Sequence, residues 1–349
     1  MRYCFDIETN GFLDECTTVH CIVLKNIDTN EILKPTNEEA IKLLSEADLI
    51  AGHNIIKFDI PVLEKLFGFK TKAQIFDTIV ATRLLFPDIR DSDFKRNDFP
   101  ANCIGRHSLK AWGYRVGNYK EAFDTDWQTF SSDMLDYCVQ DVEVTHSLFT
   151  MIENRGYSEQ AMKLEHDVAS LIFRQEQHGF TFDKEKAQQL YSKLNARRAE
   201  LEEEFQKLFK PITTKRISPK TGKQLKDKIT VFNPSSRLHI ADRLKTKYNW
   251  QPDVYTSDGK PKLDDTILSK LDYPEAKLLA EHFLLDKRIG QLATGAQAWL
   301  KNETNGKIHG TCNTNSTVTA RASHSHPNLG QVPSVSVPYG KDCRSLFTV

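Results

Sequence analysis

The chain has 349 residues, 39% hydrophobic and 27% charged, with 47 Lys+Arg against 47 Asp+Glu. That is an ordinary soluble composition with apolar material for two domains, and it argues against a fibrous or disordered chain. No apolar run approaches the ~18 residues of a membrane span and the N-terminus reads as a strand, so neither membrane insertion nor secretion is expected.

Seven cysteines, Cys4, Cys16, Cys21, Cys103, Cys138, Cys312 and Cys343, are odd in number and lack CxxC spacing. A reduced, cytoplasmic setting is expected. The neutral total hides an asymmetry: through Arg155 there are 17 basic against 25 acidic residues, and afterwards 30 against 22. Acidic clusters gather metals and basic surfaces gather phosphate, so nucleic acid is the favoured partner.

In chain order, residues 1–155 alternate strand and helix signals, which predicts an α/β domain. Arg2 to Asp6, Thr18 to Leu24 and Ile32 to Lys34 read as strands, and Asn37 to Glu46 as a helix capped by Thr36. Asp6 and Glu8 lie two apart on the first strand, so they share a face about 7 Å apart along it. Two adjacent carboxylates repel, and a divalent cation relieves that. Leu49 to Ala51 reads as a buried strand leading into Gly52-His53-Asn54, and Asp59 stands just ahead of a helix with Pro61 in its first turn. Taken alone, Asp59 fits a helix cap. His107 and Trp112 have alternatives as metal ligand and base-stacking platform, but capping by Ser108 and core packing of Trp112 are preferred. A helix from about Ser132 puts Tyr137 and Asp141 on one face at i, i+4, beside a packing stripe of Leu135, Cys138, Val142 and Thr145.

The second half differs in character. Leu164, Val168, Leu171, Ile172 and Gln175 show helical spacing that Gly179 breaks. A long polar helix follows from about Lys184 to Phe209, its acids at Glu200 to Glu204 on a solvated face. Pro211 to Lys228 reads as a basic loop, either plain surface or a track for a phosphate backbone. Beyond it come Phe232-Asn233-Pro234-Ser235-Ser236, then Lys287-Arg288 in a helix, then Thr319-Ala320-Arg321 and Pro327-Asn328-Leu329-Gly330-Gln331.

The set Asp6, Glu8, Asp59, Tyr137 and Asp141 resembles the tyrosine-bearing subgroup of the DEDD 3′→5′ exonucleases, and the second half resembles the thumb of phage-type family A DNA polymerases. The resemblance implies a ribonuclease H-like exonuclease domain at 1–155, a mixed sheet flanked by helices. A mainly helical thumb at 156–349 would follow, entering the thumb-to-palm strands. It implies phosphodiester hydrolysis with two divalent cations about 3.5–4 Å apart. Mg²⁺ or Mn²⁺ fits, since hard ions prefer carboxylate oxygen. Asp6 would bridge both ions, Glu8 and Asp141 would complete the nucleophile-side ion, and Asp59 would hold the leaving-group side. Tyr137 would orient the attacking water, a phenol of pKa near 10 being a poor base at neutral pH.

For DNA, the resemblance points to Thr9 at the terminal sugar, to Asn54 as a further DNA contact and to a wedge at about Phe12 or Leu13, with core packing as the other reading of Phe12. Lys287, Arg288 and Arg321 would follow the primer–template backbone, and Asn328 and Gln331 would bond the duplex, unless they are turn residues beside Pro327 and Pro333. The Asp-x-Ser-x-x-Glu-Leu-Arg palm motif and the fingers helix are absent before Val349, so polymerisation is not expected of this chain alone: it is expected to be either part of a naturally split polymerase, completed by a palm-and-fingers chain, or a fragment. Some phage relatives carry an insertion ahead of Phe-Asn-Pro-Ser-Ser that captures thioredoxin. Only the short basic segment stands there, so thioredoxin binding is in doubt. Ala320 stands where relatives usually have Gly. The alternative is a noncatalytic DNA-binding scaffold for that partner chain, against which all five site residues are intact; a free-standing nuclease would have little use for a thumb.

Overall fold

The computed structural model describes residues 1–118 and 126–348, which gather into two compact units. The first comprises Met1–His178 with Thr311–His324, the second Gly179–Gly310 with Ser325–Val349.

In the first unit a five-stranded mixed sheet has the order β3-β2-β1-β4-β5. β1 (Arg2–Thr9) is central; β2 (Val19–Asn26) and β3 (Ile32–Leu33) extend it antiparallel, and β4 (Leu49–Gly52) and β5 (Gln74–Asp77) extend it parallel. The parallel crossovers run through α1 (Asn37–Ser45) and α2 (Asp59–Phe67). Thr36 caps α1 as expected, in a capping box with Glu39. α3 (Thr78–Leu85) starts directly from β5, and α4 (Ile89–Asp93) and α5 (Leu109–Val116) follow. Ser108 caps α5 through Ala111 N–H, and Trp112 is buried, in keeping with the preferred reading of both. The loop between them is locked by a buried ion pair. Arg115 donates to both Asp93 oxygens at 3.0 and 2.8 Å, and Gly105 N–H adds a bond of 2.8 Å.

α6 (Ser132–Arg155) buries Cys138, Val142 and Thr145 as its stripe predicts. Phe76 of β5 meets Phe149 of α6 edge-on at 5.0 Å, and burying rings of this size contributes about 1.5–3 kcal/mol each.

α7 (Glu159–His178) is the helix that the spacing of Leu164 to Gln175 predicts, and it packs within the first unit. Its buried residues are Met162, His166 and Ala169, while Leu164 and Leu171 are 59% and 56% exposed. The reason lies in its partner. His166 Nε2 accepts from Asp77 N–H at 2.7 Å, and that bond sets which side of α7 faces β5.

The second unit opens with β6 (Phe180–Phe182) and α8 (Lys184–Leu208), capped by Asp183. Where a loop is expected there is a hairpin, β7 (Ile212–Ile217) with β8 (Gln224–Thr230), paired only with each other. Alternating Ile, Thr and Lys satisfies a two-residue period without marking a buried face, which is why composition alone read as loop. α9 (Arg237–Tyr248), α10 (Asp265–Ser269) and α11 (Pro274–Ile289) complete the helices packed with α8, and α11 runs into one π-helical turn at Gly290–Thr294. β9 (Glu303–Thr304), β10 (Lys307–Ile308) and β13 (Phe347–Thr348) join β6 in a second sheet, and α12 (Gly340–Arg344) precedes β13. The short β11 (Thr311–Asn313) and β12 (Ser323–Ser325) pair with each other.

Candidate active site

Asp6 and Glu8 stand opposite Val23 and Cys21 on β2, on one face of β1. α6 lies over this part of the sheet. Cys138 brings its Sγ to 3.5 Å from Asp6 O and 3.7 Å from Asp6 Oδ2. Ligand atoms of Asp6, Glu8 and Cys138 all lie within 4.8 Å of one another. Asp141 is buried one turn further along α6.

Asp59 begins α2 rather than preceding it, with Phe58 in the cap position. Its carboxyl is 3% exposed and its pKa is pushed up to about 8, chiefly by burial and then by the charges of Asp77 and Asp141, against the pull of its own N–H and that of Ile7. Because Ile7 lies between Asp6 and Glu8, this contact ties Asp59 to the same stretch of β1. The structure thus brings four carboxylates from three elements to one place. Tyr137 is half-buried beside Cys138, its ring edge-on to Trp127 at 6.0 Å.

A divalent cation fits the carboxylates of this set. Cys138 brings a sulfur beside them, but its thiol donates to Asp6, so the oxygens are the donors left for a hard ion, and a buried carboxyl that burial and neighbouring anions drive toward protonation is one that a cation would restore to charge.

Two participants escaped the sequence reading. Cys138 was assigned only to a packing stripe. Asp77 was passed over entirely, although an Asp between a short apolar strand and a helix is a cap signal. The segment leading to Asp59 depends on it. After Gly52, where a Cβ would lie 2.2 Å from Ile55 Cγ2, the backbone turns left-handed at Asn54 (φ 70°). Asn tolerates that conformation, so Asn54 has a local reason to be there besides any ligand.

Of the other expected contacts, Thr9 is buried and donates from Oγ1 to Gly11 O at 2.9 Å. Phe12 is 83% exposed, which overturns the core alternative. In the second unit Lys287, Asn328 and Gln331 line one cleft of about 270 Å³, where Gln291 Nε2 donates to Gln331 O at 3.2 Å and Asn328 Oδ1 is buried without a protein partner. Arg288 does not join them at the surface. It is 6% exposed and donates from Nη1 to Gln291 Oε1 at 2.9 Å. Being on the inner side of α11 makes it a support for that cleft rather than a lining group. Arg321 folds with the first unit, exposed, its N–H donating to Thr317 Oγ1 at 3.0 Å. The hairpin exposes Lys215, Arg216, Lys220, Lys223, Lys226 and Lys228. A larger cleft of about 1000 Å³, lined by Arg2, Tyr157 and His166 among others, includes none of the candidate residues. No helix among the described residues is long and apolar enough to cross a membrane.

Comparison with known proteins places these features. Residues 14–156 match the family model described as 3′-5′ exonuclease, and residues 184–349 match the one described as DNA polymerase family A. The DNA-directed DNA polymerases of Escherichia phage T7 and Enterobacteria phage T3 are each 32% identical over 452 aligned positions, taking in 98% of this chain. The chain spans 64% of the length of these relatives, and since 452 positions exceed its 349 residues, they carry residues in the shared span that it lacks. The POL domain of Pol1 from M. smegmatis, in complex with DNA primer-template and dNTP, shares the fold at TM-score 0.65 and 17% identity, over 99% of this chain and 55% of its own.

Proposed function

Since residues 14–156 belong to the 3′-5′ exonuclease family and residues 184–349 to DNA polymerase family A, we propose that the chain removes nucleotides from DNA 3′ ends. It is the metal-dependent proofreading part, with the thumb, of a phage-type family A polymerase. The observation that carries this reading is the pair Asp6 and Glu8 on one face of β1, with Asp59 of α2 bonded to Ile7 between them and within the field of Asp141 of α6. A sheet ordered β3-β2-β1-β4-β5 with acids on its central strand suits a ribonuclease H-like fold.

Two divalent ions, Mg²⁺ or Mn²⁺, would lower the pKa of a bound water and neutralise charge on the phosphate. Asp6, Glu8, Asp59 and Asp141 would hold the ions, with Asp6 shared between them, Glu8 and Asp141 serving the nucleophile side and Asp59 the leaving-group side, and Tyr137 would orient the attacking water. Phe12, with its ring in solvent, stacks on an unpaired base near the 3′ end, a contact worth about 1–3 kcal/mol per base, while Thr9 and Asn54 meet the terminal nucleotide.

Duplex DNA lies along the cleft of Lys287, Asn328 and Gln331, with the basic hairpin of the same unit as a further phosphate contact, and Arg321 is a phosphate contact of the first unit. Such contacts hold DNA without reading its sequence. Polymerisation is assigned to palm and fingers, carried either by further sequence of the same protein or by a partner chain.

The test incubates the pure chain with 5′-labelled single-stranded DNA and Mg²⁺ or Mn²⁺, with and without chelator, beside an Asp6→Ala/Glu8→Ala variant. Stepwise shortening that needs metal and both carboxylates is expected. Shortening that survives the double substitution overturns the site.

A further inference from the structure

Asp77 is buried and makes no salt bridge among the described residues, yet its two oxygens accept three backbone N–H bonds. Oδ1 takes Ile79 N–H at 3.0 Å, which is the ordinary cap of α3. A cap needs no more than that. The same oxygen also takes Asn54 N–H at 2.8 Å, and Oδ2 takes Ile56 N–H at 3.1 Å. Both donors lie on the left-handed turn that ends in Asp59.

The neighbouring residue works on the same turn. Thr78 Oγ1 donates to Gly52 O at 3.1 Å and meets His53 Nδ1 at 2.8 Å. From behind, Asp77 N–H donates to His166 Nε2, whose Nδ1 reaches Met162 O at 2.8 Å, so the ring is neutral with its proton on Nδ1. Burial pushes the Asp77 pKa above the ordinary carboxylate range, against the pull of the Ile56, Asn54 and Ile79 N–H groups and of His166.

We infer that Asp77 is a positioning residue for the metal-holding carboxylate Asp59: its bonds to Asn54 and Ile56 N–H fix the Gly52–Phe58 turn that carries Asp59 into the site. This rests on the proposed site. Supports around metal ligands alter metal affinity by about 10–100-fold when changed, and Asp77 holds the turn rather than the ligand itself, so the lower end of that range applies.

The experiment titrates Mn²⁺ into the full chain, following the electron paramagnetic resonance signal of the free ion. It compares wild type, Asp77→Asn, Thr78→Val and Asp6→Ala/Glu8→Ala, with thermal unfolding and the affinity for single-stranded DNA in chelator measured alongside. Asp77→Asn is expected to raise the Mn²⁺ Kd about tenfold, with DNA affinity unchanged. Thr78→Val, which keeps the three Asp77 bonds to the backbone and removes only those of Thr78, raises it less. A lower Tm with a Kd within twofold of wild type makes Asp77 a structural cap only and overturns the inference. If Asp77→Asn does not fold, an unchanged Kd in Thr78→Val overturns the positioning of the turn. Mn²⁺ binding that ignores the Asp6/Glu8 substitutions removes the proposed site itself, a separate outcome.

Discussion

In the first unit the ionic groups turn inward: Glu8, Asp59, Asp77 and Asp141 are all buried, and Asp93 is sealed with Arg115. In the second, the hairpin holds its six cations in solvent, on strands that pair with nothing else. The difference follows from what each would grip. A small ion is held by several oxygens converging at fixed distances, which takes a scaffold on every side. A polyanion is held by charges spread along it, which need reach more than convergence. The first arrangement stores a folding cost in its site, whereas the second stores almost none.

Breaking the inward site has the largest effect. Asp6→Ala/Glu8→Ala lowers kcat on single-stranded DNA by about 10⁴-fold, the scale seen when principal catalytic groups are removed. Breaking the inward scaffold comes next: Asp93→Ala strands the Arg115 guanidinium and costs about 3–5 kcal/mol in urea unfolding.

The third prediction uses the stored cost. Asp59 titrates near 8 when folded and near 4 when unfolded, so the folded state holds a proton that the unfolded state gives up between those values. Its contribution is full below about pH 4 and is lost as pH rises through 8. In chelator the urea midpoint therefore falls from pH 5 to pH 8, and Asp59→Asn flattens that slope; a midpoint that rises instead removes the proton from Asp59.

Sharpening the outward side takes Lys226→Ala and Lys228→Ala together. Duplex affinity drops and its slope against log salt shrinks by about 0.9 for each phosphate that the protein no longer neutralises, while single-strand hydrolysis is unchanged. The smallest effect is on hairpin stability: Ile217→Ala, at an exposed position, stays within about 0.5 kcal/mol of wild type.

The same contrast explains what could be read from residues alone. Asp6 and Glu8 were legible because a strand's period of two needs no partner to define it, and the Cys138–Val142–Thr145 stripe because α6 has a single apolar side. α7 has two apolar sides; its period was clear and its phase was not, since a bond from Asp77 to His166 chooses between them. Arg288 failed similarly, as the inward side of α11 is set by what packs on it. Asp77 was hidden because its effect is on a segment more than twenty residues earlier in the chain.

One tie within the first unit reaches furthest along the sequence. Glu176 holds Lys57 Nζ with both oxygens at 2.8 Å and takes Cys312 N–H at 2.7 Å, and Lys57 also reaches Cys312 O at 3.3 Å. On the ribosome, Met1–His178 is made first and Thr311–His324 only after Gly179–Gly310 has emerged, on the order of 10 s later at common synthesis rates. For that interval the Lys57–Glu176 pair waits without its last backbone partner. The unit that starts first is therefore finished only when most of the chain has been made.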